Sequence, residues 1–119
     1  MSPEKAKVFV AEDDETWQKF IKIYLEEAGH SVVATARTIE EAMEIIEKLE
    51  EMGIDVAVLD GNLNEDEYKG FDGMAMLRKI RDTAKNVKTV GMSGNSVPGT
   101  DVDLGKRKVS EIGKVVTNL

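Results

Sequence analysis

Apolar residues in this chain fall into short unbroken runs, separated by stretches where they recur every three or four positions. That is the signature of buried strands alternating with amphipathic helices. Val8-Phe9-Val10-Ala11 and Val56-Ala57-Val58-Leu59, the latter within a strand read from Ile54 to Leu59, are apolar at successive positions, as a strand covered on both faces of a parallel sheet must be. Ser31 to Ala36, Val87 to Met92 and Val102 to Leu104 supply three more short strand candidates. Between the first two, Trp17, Phe20, Ile21, Tyr24, Leu25 and Ala28 keep helical spacing, with Gly29 as the stop. Thr38-Ile39-Glu40-Glu41 reads as a capping box. It opens a second helix whose apolar face is Ile39, Ala42, Met43, Ile46 and Leu49, closed by Gly53. A third helix opens at Asp72-Gly73, with Asp72 as N-cap and Met74, Leu77 and Ile80 turned inward, and ends by Asn86. Val109, Ile112, Val116 and Leu119 outline a last short helix, weakened by Gly113. Gly61 to Phe71 is polar and irregular, and Ser96 to Thr100 is rich in breakers; both read as loops. Alternating elements with short links predict an α/β doubly wound parallel sheet with helices on both faces.

Composition narrows the function classes. At 119 residues and 41% hydrophobic content, positions 1–119 are expected to form a single domain. Output then has to pass through a partner. A net charge of −7 argues against nucleic-acid or anionic-membrane surfaces, and the basic run Lys106-Arg107-Lys108 is too short to reverse it. There is no cysteine, which removes disulfides, thiol catalysis and Cys-based zinc sites. No apolar stretch approaches the roughly 20 residues of a membrane span, and the N-terminus lacks a signal-peptide apolar core. A cytoplasmic location is the expectation.

In a doubly wound sheet, ligands sit beyond the carboxyl ends of the strands. Those ends carry Glu12 and Asp13, then Asp60, then Ser93, then Lys106. Taken alone, Glu12-Asp13-Asp14 would serve as negative charge at a helix N-terminus. Asp60, closing a second core strand, turns that cluster into a candidate site. Converging carboxylates repel one another unless a hard cation lies among them, and Mg²⁺ accepts a few carboxylate oxygens together with phosphate oxygens. Asp60 would be the nucleophile toward a phosphoryl group, with Lys106 and Ser93 neutralising and bonding its oxygens. His30, beside a turn glycine, is expected to be solvated, and Trp17 to belong to the core.

These residues resemble the receiver domains of two-component response regulators. Val8-Phe9-Val10-Ala11-Glu12-Asp13-Asp14 is similar to that family's acidic motif, Val58-Leu59-Asp60 to its phosphoacceptor, Val90-Gly91-Met92-Ser93 to its hydroxyl site, and Leu104-Gly105-Lys106 to its lysine site. The resemblance spans the chain and implies a flavodoxin-like five-stranded sheet in the order 2-1-3-4-5. It implies that Mg²⁺ is held by Glu12, Asp13, Asp60 and the backbone carbonyl of Asn62. It further implies that Asp60 is phosphorylated by a histidine kinase or phosphotransfer protein, that Ser93 and Lys106 engage the phosphate, and that Asn62 and Asn95 flank the attacking water. The chain would be a stand-alone phosphoacceptor signalling to a downstream protein, and not an enzyme acting on other substrates.

Departures from the family pattern are specific. Position 64 is Asn where a proline is usual, Asp72-Gly73 comes about five residues late, position 107 is Arg where a proline usually follows the lysine, and Asp103 replaces the aromatic switch residue. Ser93 and Lys106 are only 13 apart, roughly two helical turns short of the usual spacing. The helix between strands four and five is therefore expected to be reduced or absent, and the hydroxyl-to-aromatic relay not to operate. An alternative reading is a receiver-like interaction module that acts without phosphorylation. An Asp-nucleophile phosphatase is disfavoured, because Asn62 cannot act as the general acid that chemistry needs.

Overall fold

The computed structural model describes residues 5–60, 71–93 and 97–119. Within them the elements run β1 (Lys7–Ala11), α1 (Glu15–Glu27), β2 (Ser31–Ala36), α2 (Ile39–Ile46), β3 (Val56–Leu59), α3 (Phe71–Thr83), β4 (Lys88–Gly91), β5 (Val102–Asp103), a 3₁₀ segment (Lys106–Glu111) and α4 (Ile112–Thr117). The strands form one sheet in the order β2-β1-β3-β4-β5, with every pairing parallel. This is the flavodoxin-like order that the resemblance implies.

Strand alternation sorts the core into two layers, because successive side chains leave opposite faces. Val8 and Val10 of β1 and Val56 and Val58 of β3 pack with Ile21 and Leu25 of α1 and Ile112 and Val116 of α4. Phe9, Ala11, Ala57 and Leu59 point the other way, against Ala42 and Ile46 of α2 and Met76, Leu77 and Ile80 of α3. The helix starts follow the expected chemistry: Thr38 Oγ1 accepts from the Glu41 backbone N–H at 3.2 Å, and Asp14 Oδ1 accepts from Thr16 N and Trp17 N.

Several boundaries and faces differ from the sequence reading. β3 starts at Val56 and not Ile54, since the Asp55 carboxylate takes the Lys7 N–H at 2.9 Å and its backbone N–H goes to Lys7 O at 2.8 Å. α2 ends at Ile46, although Leu49 in the following turns is still buried. α3 begins at Phe71, so Asp72 stands inside its first turn and is not the N-cap. Met76 is the buried methionine of α3, whereas Met74 is 51% exposed, correcting its inward assignment. Phe20, placed on the apolar face of α1, is 44% exposed.

His30 is not solvated. It is buried; its Nδ1 accepts from the Ala6 N–H at 2.9 Å, and its Nε2 faces Gly113 O at 3.2 Å and Thr117 Oγ1 at 2.9 Å. With Nδ1 occupied as an acceptor, the proton belongs on Nε2, and the ring ties the start of β1 to α4. The low helix propensity of Gly113 is offset by packing. A Cβ there would lie 2.6 Å from Ala28 Cβ and 2.7 Å from Tyr24 O, so the missing side chain is what lets α4 seat against α1.

Between β4 and β5 the described residues contain no helix. Residues 97–101 instead form a strap along β4 and α3. Val97 is buried in the layer of Met76, Leu77 and Ile80. Gly91 makes room for it: a Cβ there would meet Val97 Cβ at 3.0 Å and Asp103 Oδ1 at 2.7 Å. Arg81 Nη2 donates to Gly99 O at 2.6 Å. Asp101 closes the strap by accepting from Thr89 N at 2.8 Å and Thr89 Oγ1 at 3.1 Å, while its own N–H donates to Thr89 Oγ1 at 3.0 Å.

Candidate functional site

The carboxyl ends of the central strands are levelled by hydrogen bonds that continue the ladders one residue further. Glu12 N donates to Ala36 O, Asp60 N to Ala11 O and Met92 N to Leu59 O, each at 2.9 Å. Glu12 and Asp60 share the parity of Val10 and Val58, so both fall on the side of the sheet covered by α1 and α4. Lys106 reaches the same side through Gly105, which has φ +80°, a conformation open to glycine and strained for other residues. Leu104 N and Gly105 N both donate to Gly91 O, and Lys106 N donates to Ser93 O at 3.3 Å. The hydroxyl-bearing and lysine-bearing segments are thereby fastened to each other.

The result is a compact charged pocket. Lys106 Nζ lies 3.0 Å from Glu12 Oε1 and 3.5 Å from Asp60 Oδ2; its neighbours Arg107 and Lys108 are exposed. Oxygens of Glu12, Asp13 and Asp60 all come within 4.8 Å of one another. Glu12 is 1% and Asp60 4% exposed, and Ser93 is also buried. Neither carboxyl oxygen of Glu12 has a hydrogen bond of good geometry among the described residues, so Lys106 meets it as a charge. Burial, then the adjacent Asp60 carboxylate, push the Glu12 carboxyl up to about 9 against the opposing pull of Lys106. At Lys106 burial works against the charge, but Asp60 and Glu12 outweigh it and hold the ammonium above its ordinary value.

A hard divalent cation fits this donor set. Three carboxylates converge and all ligand atoms are oxygen. Asn62 and Asn95 lie outside the described residues.

Two neighbours were not assigned to the site from sequence. Gln18 Nε2 donates to Glu12 O at 2.7 Å and Ala36 O at 3.3 Å, anchoring α1 to the ends of β1 and β2. Its position one turn into a helix next to an acidic cluster is the only sequence signal for this. Trp17, expected in the core, is half-buried, with its ring centroid 5.4 Å from Lys106 Nζ.

The sequence profile of the response regulator receiver domain matches residues 8–109. This chain belongs to that family. Among curated proteins, the receiver is similar to the CAI-1 autoinducer sensor kinase/phosphatase CqsS of Vibrio cholerae, with 23% identity over 99 residues. That match takes in 83% of this chain but only 14% of the relative's length. Among solved structures, the signal receiver domain of the response regulator NarL from Mycobacterium tuberculosis superposes with a TM-score of 0.77 at 24% identity, covering 98% of this receiver and 96% of that chain. A structure of the phosphorylated P1 domain of CheA3 in complex with CheY6 from R. sphaeroides includes a chain matching at TM-score 0.66 and 16% identity, over 99% of this receiver and 100% of the other. No helix among the described residues is long and apolar enough to cross a membrane.

Proposed function

We propose that this receiver accepts a phosphoryl group on Asp60 from a histidine kinase or phosphotransfer protein and signals through altered protein contact. The observation carrying this reading is the meeting of Glu12, Asp60 and Lys106 at one sheet edge, with the ammonium 3.5 Å from the Asp60 oxygen. The complex of the phosphorylated P1 domain of CheA3 with CheY6 supports, by analogy, a phosphorylated protein domain as the donor.

An Asp60 carboxylate oxygen attacks the phosphorus in line. The new O–P bond forms as the N–P bond to the donor histidine breaks, and the electron pair stays on the imidazole nitrogen. Lys106 neutralises charge on the phosphoryl oxygens, and the Ser93 hydroxyl donates to one of them. Mg²⁺ would be held by Glu12, Asp13, Asp60 and the Asn62 carbonyl, and when bound it supplies further neutralisation of those oxygens. Incubation with Mg²⁺ and acetyl phosphate should add one acid-labile phosphate, absent from Asp60→Asn. No mass gain in the wild type would contradict the reading.

The strap in place of a helix supports a second reading, in which the domain binds its partner without phosphorylation. There Asp60→Asn should bind the partner as tightly as the wild type, whereas the first reading requires partner affinity to change on phosphorylation.

A further inference from the structure

Lys106 ends in an ammonium on a flexible four-carbon stem, and two carboxylates on one side of it do not fix its direction. The other restraint is aromatic. The Trp17 ring centroid is 5.4 Å from Nζ, inside the range where a cation is attracted to an indole face. Phe20 in turn meets Trp17 edge-to-face, with centroids 6.0 Å apart and planes at 76°, which orients the indole. The helix start is fixed as well, since the Trp17 N–H is held by the Asp14 cap.

We propose that Trp17 is a positioning residue for phosphoryl transfer: its indole face holds the Lys106 ammonium beside Glu12 and Asp60, ready for the incoming phosphoryl oxygens. This rests on the reading of Asp60 as acceptor. When the phosphoryl group arrives, Lys106 must turn from Glu12 toward it, and the ring gives the ammonium a neutral surface to turn on, where a third carboxylate would compete with the phosphate. The spacing of Trp17 matches the apolar face of α1, and by spacing alone it belongs to the core.

Trp17 is the only tryptophan in the chain, so biosynthetic replacement by mono-, di- and tetrafluorinated tryptophans alters this one ring, draining its negative face with little change of shape. The rate of Asp60 phosphorylation by acetyl phosphate with Mg²⁺ should fall stepwise with fluorination, and Trp17→Leu should lose roughly 2- to 30-fold. A second readout needs neither metal nor phosphate: ring current from the indole should shift the Lys106 ε-methylene protons upfield in the wild type, and Trp17→Leu should abolish that shift. A flat rate across the fluorinated series overturns the positioning role while Asp60 remains the acceptor. An unshifted Lys106 resonance in the wild type overturns the contact itself. A wild-type protein that takes no phosphate overturns both the acceptor reading and the role built on it.

Discussion

Glu12 carries a heavy electrostatic cost. It is buried beside a second carboxylate, with Lys106 as the counter-charge, and its carboxyl is raised from 4.5 to about 9. Between those two values the unfolded chain has released a proton that the folded chain still holds. Stability of the metal-free protein should therefore fall as pH rises from about 5 toward 9 and level off above, because the native state binds more protons across that window. Glu12→Gln removes the titration. Urea unfolding without Mg²⁺ should find the variant close to wild type at pH 5 and more stable by on the order of a few kcal/mol at pH 8. The acidic residues were legible in the sequence because each ends an apolar run. The burial of His30 was not legible, because its partners Ala6, Gly113 and Thr117 come from distant segments that only the fold brings together.

Among the elements, α4 and the strap depend on contacts that local pattern does not reveal. Gly113 looks like a helix breaker until α1 is placed beside it, 2.6 Å from where its Cβ would be. Gly113→Ala, which raises helix propensity, should nonetheless destabilise the domain by about 1–3 kcal/mol through overpacking, measured by chemical denaturation. A gain in stability would show that α4 can shift away without cost. The shortened spacing from Ser93 to Lys106 was enough to anticipate that the described residues between β4 and β5 hold no helix, but not what they form instead. That depends on Gly91 leaving room for Val97, and on Asp101 answering the buried Thr89 N–H. Asp101→Ala leaves that donor unpaired and should cost about 1–3 kcal/mol. Hydrogen exchange should quicken at Thr89 and across 97–103 while β1 and β3 stay protected, and uniform protection would contradict the role given to the Asp101 clamp.

At the scale of the whole molecule, the parallel sheet with helices on both faces followed from strict alternation of strands and helices, whereas its order, β2-β1-β3-β4-β5, was implied only by the resemblance to receiver domains. The pocket followed from the same topology, which levels Glu12 with Asp60 and returns Lys106 to the same side of the sheet. Which residue would steady the lysine did not follow, because Trp17 meets the ordinary requirements of a core helix position. The charged pocket brings Glu12, Asp60 and Lys106 together, while the described residues between β4 and β5 form a strap instead of a helix. The claim on which the rest depends is that the acceptor is Asp60. Treatment with Mg²⁺ and acetyl phosphate, followed by borohydride reduction of the acyl phosphate and peptide mass mapping, tests it directly. The reduced side chain, homoserine, should appear at position 60 and nowhere else; its appearance at Asp13 or another carboxylate, or at none, would contradict the account.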